Sequence, residues 1–166
     1  LKKYGGDLAI GAFGIVNRLV FIVVMIVMGL NQGMQPIAGY NFGAKLYGRV
    51  NKVLRLTIIY ATAVTTFGFL VGMLVPDLVV GIFTSDAELT ELSVTGLRIT
   101  VMFFPIIGFQ MVTSNFFQSI GMAGKAIFLS LTRQMLILLP CLLVLPQFFG
   151  VAGVWYSMPV SDLLAS

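Results

Sequence analysis

Long uncharged hydrophobic blocks, rather than any alternation of polar and apolar positions, dominate this chain. About 20 apolar residues wound at about 1.5 Å each cover the roughly 30 Å hydrocarbon core of a bilayer. Five stretches approach or exceed that length: residues 8–41, 53–76, 97–121, 126–149 and 151–166. The first is longer than one straight crossing needs, so it tilts or projects beyond the bilayer. The last is too short to span comfortably before the sequence stops at Ser166. Strands of a membrane barrel would alternate over about ten residues. No such alternation occurs, so the spans are helices that satisfy their own backbone hydrogen bonds. The pattern predicts an all-α, polytopic membrane helix bundle with about five transmembrane helices.

Composition sharpens this. The 166 residues are 58% hydrophobic and 10% charged, against roughly 25% charged residues in a soluble domain. The mean hydropathy is +1.02. These values exclude a soluble globular domain and a disordered chain alike. The chain has no histidine, which removes His-based acid/base catalysis and His-Glu zinc motifs. Its one cysteine, Cys141, permits neither an internal disulfide nor a paired-cysteine metal site. No nucleophile motif, phosphate loop or acid-rich cation motif occurs, so an enzyme is not expected and no cofactor is implied. The N-terminal Leu1-Lys2-Lys3 with Gly5 and Gly6 resembles a loop rather than a signal peptide. A fragment of a longer polytopic protein is therefore expected.

The net charge of +4 points to orientation in a membrane rather than to nucleic acid. Lys45, Arg49, Lys52 and Arg55 separate the first two spans with no acid among them, whereas Asp77, Asp86, Glu88 and Glu91 follow the second. The Lys45–Arg55 loop is expected in the cytoplasm and the Asp77–Glu91 loop outside. Alternation then places the turn at 121–125 inside and 149–153 outside. Only Lys2 and Lys3 disagree with this assignment.

Winding the spans at 3.6 residues per turn sorts their polar side chains. Asn17, Phe21, Val24, Met28, Asn31, Gln32 and Gln35 share roughly 100° of the first helix. Gly29 and Gly33 lie on another side, at a spacing that permits close helix approach. Pro36 lacks an N–H and frees the carbonyl of Gln32, so a bend is expected there. Ile106, Gln110, Thr113, Ser114 and Phe117 share roughly 120° of the third helix, with Gln118 at the edge. In the second, Ala61, Gly68 and Gly72 make a packing surface. Amides in membrane helices serve either as interhelical glue, worth about 0.6 kcal/mol on average, or as contacts in a cavity. Their company of Phe and Met, which repack readily, suits varied amphiphilic ligands. The candidate cavity residues are Asn31, Gln32, Gln35, Gln110, Ser114 and Gln118. Ionisable groups inside a membrane default to functional candidates, here Arg18, Arg133 and Asp162. The two arginines can snorkel to an interface. Asp162, with a shorter side chain, either pairs inside the bundle or sits near a helix end.

Residues 29–45, Gly-Leu-Asn-Gln-Gly-Met-Gln-Pro-Ile-Ala-Gly-Tyr-Asn-Phe-Gly-Ala-Lys, followed by Arg49-Val50, are not generic hydrophobic sequence. They resemble the multidrug and toxic compound extrusion (MATE) transporters at the eighth helix and the loop after it. Asn115-Phe116-Phe117-Gln118 leading to Gly121, Arg133-Gln134, Pro140, Pro146, Gly150, Gly153-Val154-Trp155, Pro159 and Ser161-Asp162 extend the resemblance along the chain. It implies a twelve-helix exporter in two lobes, of which this chain is most of the second, without the N-terminal lobe and the seventh helix. It also implies efflux of amphiphilic or cationic compounds in exchange for Na⁺ or H⁺, with the bilayer and the absent lobe as partners. Branches with a cation site in the second lobe use carboxylates in the seventh and tenth helices, and residues 97–121 after Arg98 carry none. The coupling ion therefore stays open. The competing functions are a flippase for lipid-linked saccharides, which would need a richly cationic cavity, and a structural or assembly subunit that does not transport.

Overall fold

The computed structural model describes residues 2–122 together with 124, 127–128, 131, 140, 142–145, 153, 155–157 and 160. Among these every regular element is helical: α1 Lys2–Gly43, α2 Tyr47–Leu74, α3 Pro76–Gly81, α4 Ala87–Val101 and α5 Phe104–Ser119. The expected spans at 126–149 and 151–166, with Arg133 and Asp162, lie outside the described residues.

α1 is a 42-residue helix that stays helical through Pro36. Its buried positions recur every three or four residues, at Ala9, Ala12, Val16 and again at Val27, Asn31, Met34, Ala38 and Asn41, as one face of a 3.6-residue helix must. Around this face α2, α4 and α5 assemble. Two cores result. One gathers Ala12, Val16, Val80, Leu97, Val101, Phe104 and Trp155; the other gathers Val27, Met34, Ala38, Ala61 and Val112. Small residues set the spacing between helices. A Cβ on Gly68 would stand 3.0 Å from Val23, one on Gly72 3.0 Å from Val101, and one on Gly108 3.0 Å from the Ala61 carbonyl. The packing surface expected on α2, at Ala61, Gly68 and Gly72, is thus in use. Among the described residues, a Cβ at Gly29 or Gly33 meets no atom within 4 Å, so that side of α1 is open to them.

Several boundaries differ from the hydropathy pattern, each for a local reason. α1 and α2 are joined by 44–46 alone, because α1 closes in a Schellman turn. The Leu46 N–H donates to Asn41 O at 2.9 Å and the Lys45 N–H to Phe42 O at 3.0 Å, with Lys45 in the left-handed region at φ 59°. Arg49, Lys52 and Arg55 therefore sit on the first turns of α2, not in a loop. Beyond Leu74, Pro76 begins the short α3. Asp86 then caps α4, its carboxylate accepting from the Leu89 N–H at 2.8 Å. Glu88 and Glu91 consequently lie on α4, and the helix begins ten residues before the expected Leu97. The stretch from 97 to 121 is also not one straight helix. α4 and α5 meet at a 52° bend over Met102 and Phe103. The cause is Pro105, whose ring would collide with the carbonyl of Val101 in a continuous helix. α5 ends as α1 does, with the Met122 N–H donating to Phe117 O at 3.0 Å and Gly121 at φ 78°.

α1 from Asp7 onward and α2 are each long and apolar enough to cross a membrane, and α4 with α5 qualifies as one broken span.

Candidate functional site

α1 and α5 run parallel in close contact, which decides where each amide goes. The Gln35 Nε2 donates to Asn115 Oδ1 at 3.1 Å. Four residues further along both helices, a Cβ on Gly39 would stand 2.8 Å from the Ser119 carbonyl, so the backbones touch there. Asn115 is held from behind, its Nδ2 donating to Met111 O at 2.8 Å. The Gln35–Asn115 pair closes the seam between the two helices towards their C-terminal ends.

The other candidates distribute around this seam. Gln32 precedes Gln35 by three residues, and Gln118 follows Asn115 by three. On parallel helices facing each other, these opposite steps rotate by about 60° toward the same side. Gln32 and Gln118 are both exposed there, with half-buried Ser114 beside them. Phe21 and Met28 continue that open side along α1, at 56% and 47% exposure. The result is a shallow polar trough: an amide pair for a floor, an exposed glutamine on each wall, and apolar surface running away from it.

Two candidates take different places. Asn31, one turn before Gln35, is 2% exposed, and neither its Oδ1 nor its Nδ2 has a hydrogen-bond partner. It faces the interior rather than the trough. Gln110 lies about 140° around α5 from Asn115, on the far flank, with a buried Oε1 that has no partner. The amides of α1 and α5 thus do not converge as one set. Arg18 is exposed on α1, far from the trough. Asn115 is the residue that sequence reasoning passed over. It belongs to the Asn-Phe-Phe-Gln stretch, but it falls outside the polar arc of α5, because it faces α1 instead of the open side. No group of His, Cys, Asp and Glu able to hold a metal occurs among the described residues.

An α-helical bundle with apolar spans and a polar trough between two of them is a polytopic membrane protein. The chain belongs to the MatE family, whose model matches residues 1–143. It is 27% identical over 161 residues to the multidrug export protein MepA of Staphylococcus aureus (strain MSSA476) and 24% identical to that of Staphylococcus saprophyticus. These alignments cover 97% of this chain and 35% of each relative. The chain thus spans about a third of the length of the curated relatives it matches. The solved MATE multidrug transporter DinF-BH in complex with R6G is 39% identical, with a TM-score of 0.86 over 99% of this chain and 37% of that one. A mutant form of the Vibrio cholerae MATE transporter VcmN shares the fold, with a TM-score of 0.88 at 21% identity over 96% of this chain and 36% of that one.

Proposed function

We propose that this chain is most of the second lobe of a two-lobe secondary exporter of amphiphilic or cationic compounds, and that the trough over the α1–α5 seam is its share of the substrate cavity. Family membership and the multidrug export proteins among its relatives support export. The observation behind the trough is the Gln35–Asn115 bridge at 3.1 Å with Gln32 and Gln118 exposed on the same side. Neutral amides both donate and accept, and exposed Phe21 and Met28 offer adaptable apolar surface beside them. A ligand with a flat apolar body and a few polar groups is matched by that mixture. The trough residues carry no charge, which favours export over flipping of an anionic saccharide lipid. The basic residues Lys45 to Arg55 face the cytoplasm and Asp77 to Glu91 the outside. The proposed exchange is against Na⁺ or H⁺.

The test is efflux of a fluorescent cationic dye by the full-length protein in cells stripped of other exporters. Alanine at Gln32, Gln35 and Gln118 together is expected to lower efflux at least severalfold at unchanged expression. Efflux and dye affinity equal to those of the unmodified protein would refute the trough as a binding surface.

A further inference from the structure

A second depression lies between α1 and α2 over the α4–α5 bend, and it has the opposite chemistry. It is a groove of about 210 Å³ in which every described lining residue is apolar. Leu19, Ile22 and Ile26 form one wall, Val64 and Phe67 the other, and Val101 lies at the floor. Its rim is open: Ile22 is 55% exposed, Ile26 50% and Phe67 69%. So open and apolar a groove does not hold water stably.

From Leu19 to Ile26 the groove runs about 10 Å along α1, and its wholly apolar lining matches a hydrocarbon chain lying along it.

Its depth and charge select the rest of the molecule. Arg18 stands one turn before Ile22 on the same flank of α1 and is exposed. Counted from Gly43, it lies about 37 Å along the helix. The hydrocarbon core is about 30 Å thick, and the bilayer with its headgroups about 40–45 Å. With the Gly43 end of α1 at one interface, the guanidinium of Arg18 reaches headgroup depth at the other, and the groove lies in the hydrocarbon directly beneath it. Guanidinium matches phosphate geometry with two parallel hydrogen bonds.

We propose that this groove is a phospholipid site: one acyl chain of a lipid from the leaflet opposite the Lys45 turn lies against Ile22, Ile26 and Phe67, and its phosphate is held by Arg18. The inference rests on α1 crossing the membrane, not on the substrate trough, and it does not depend on which leaflet is cytoplasmic.

The test places a photoreactive benzoylphenylalanine at Phe67 in the full-length protein, in native membranes, and identifies the adduct by mass spectrometry after irradiation. One phospholipid attached to the peptide containing residue 67 is expected. Arg18→Gln should lower the adduct yield at least threefold while Arg18→Lys keeps most of it. Ile26→Trp, which plugs the groove without touching the headgroup contact, should lower it equally. A cross-link from residue 67 to another segment of the protein would show that protein covers the groove and would overturn the proposal. So would a lipid adduct whose yield ignores both Arg18→Gln and Ile26→Trp. The readout does not require transport, so a failed efflux assay leaves this test intact.

Discussion

At the scale of single residues, glycine positions set how near the helices come. Gly96 is a clear case, since a Cβ there would lie 2.6 Å from the ring of Trp155. That ring is 3% exposed, sits in a core with Leu97 and Val101 and meets Phe13 at a centroid distance of 5.5 Å. It has little room to retreat. Gly96→Ala is expected to destabilise the bundle by about 1–3 kcal/mol, the usual range for overpacking, visible as a lower thermal midpoint in detergent. An unchanged midpoint would mean that the indole shifts freely. The Gln35–Asn115 bridge is a weaker device. Interhelical hydrogen bonds in membranes average about 0.6 kcal/mol, so a double-mutant cycle with Gln35→Leu and Asn115→Leu should return a coupling of that order. A coupling above about 2 kcal/mol would show that the pair holds the lobe together rather than merely lining a cavity.

Asn31 and Gln32 show how far a sequence can and cannot place a side chain. They are neighbours of nearly identical chemistry on one polar arc, yet Asn31 is buried and Gln32 exposed. The arc was legible. Its inner edge was not, because that edge is where α5 happens to lie. Asn115 presents the same difficulty from the other helix: it sits outside α5's polar arc for the reason that its partner is Gln35.

At the scale of elements, the breaks are written in particular residues. Pro105 marks the α4–α5 bend plainly, but a scan for apolar length runs through it, since proline inside a hydrophobic block costs the block nothing in hydropathy. Pro105→Ala should let α4 and α5 approach one continuous helix and reduce the 52° bend. Spin-label distances between sites on α4 and on α5 would report it, and an unchanged distance would assign the bend to packing instead. Pro36 is the contrast, because α1 continues through it. The α4 start is equally local. Asp86→Ala should remove about 1 kcal/mol of capping, seen as faster amide exchange over residues 87–90. Acidic residues that mark a loop by charge thus also start a helix, which is why α4 begins well before its apolar segment.

At the scale of the whole molecule, the charges point to orientation. Arg49 lies in the first turn of α2, where the helix dipole disfavours a cation, and Lys52 and Arg55 follow it on the next turns. Helix stability therefore does not explain them, whereas the proposed cytoplasmic placement does. With Cys141 replaced, a cysteine at Glu88 should react with an impermeant maleimide in intact cells, and one at Lys52 only after permeabilisation. Labelling of both from the same side would overturn the proposed topology.

The sequence alone determined that the chain is a membrane helix bundle, that its first two long helices cover most of residues 8–41 and 53–76, where its basic residues cluster, and which family it resembles. All of these depend on local composition and on residue order, and lipid imposes helix on any apolar stretch long enough to cross it. The tertiary structure alone decided which side of each helix faces inward. In water a hydrophobic stripe marks the core, but lipid is as apolar as a protein interior, so periodicity cannot tell the two apart. Close approach to a neighbouring backbone at Gly39 and Gly108 and to the Trp155 ring at Gly96 fixed those faces, with Asn31 buried and Gln35 paired with Asn115.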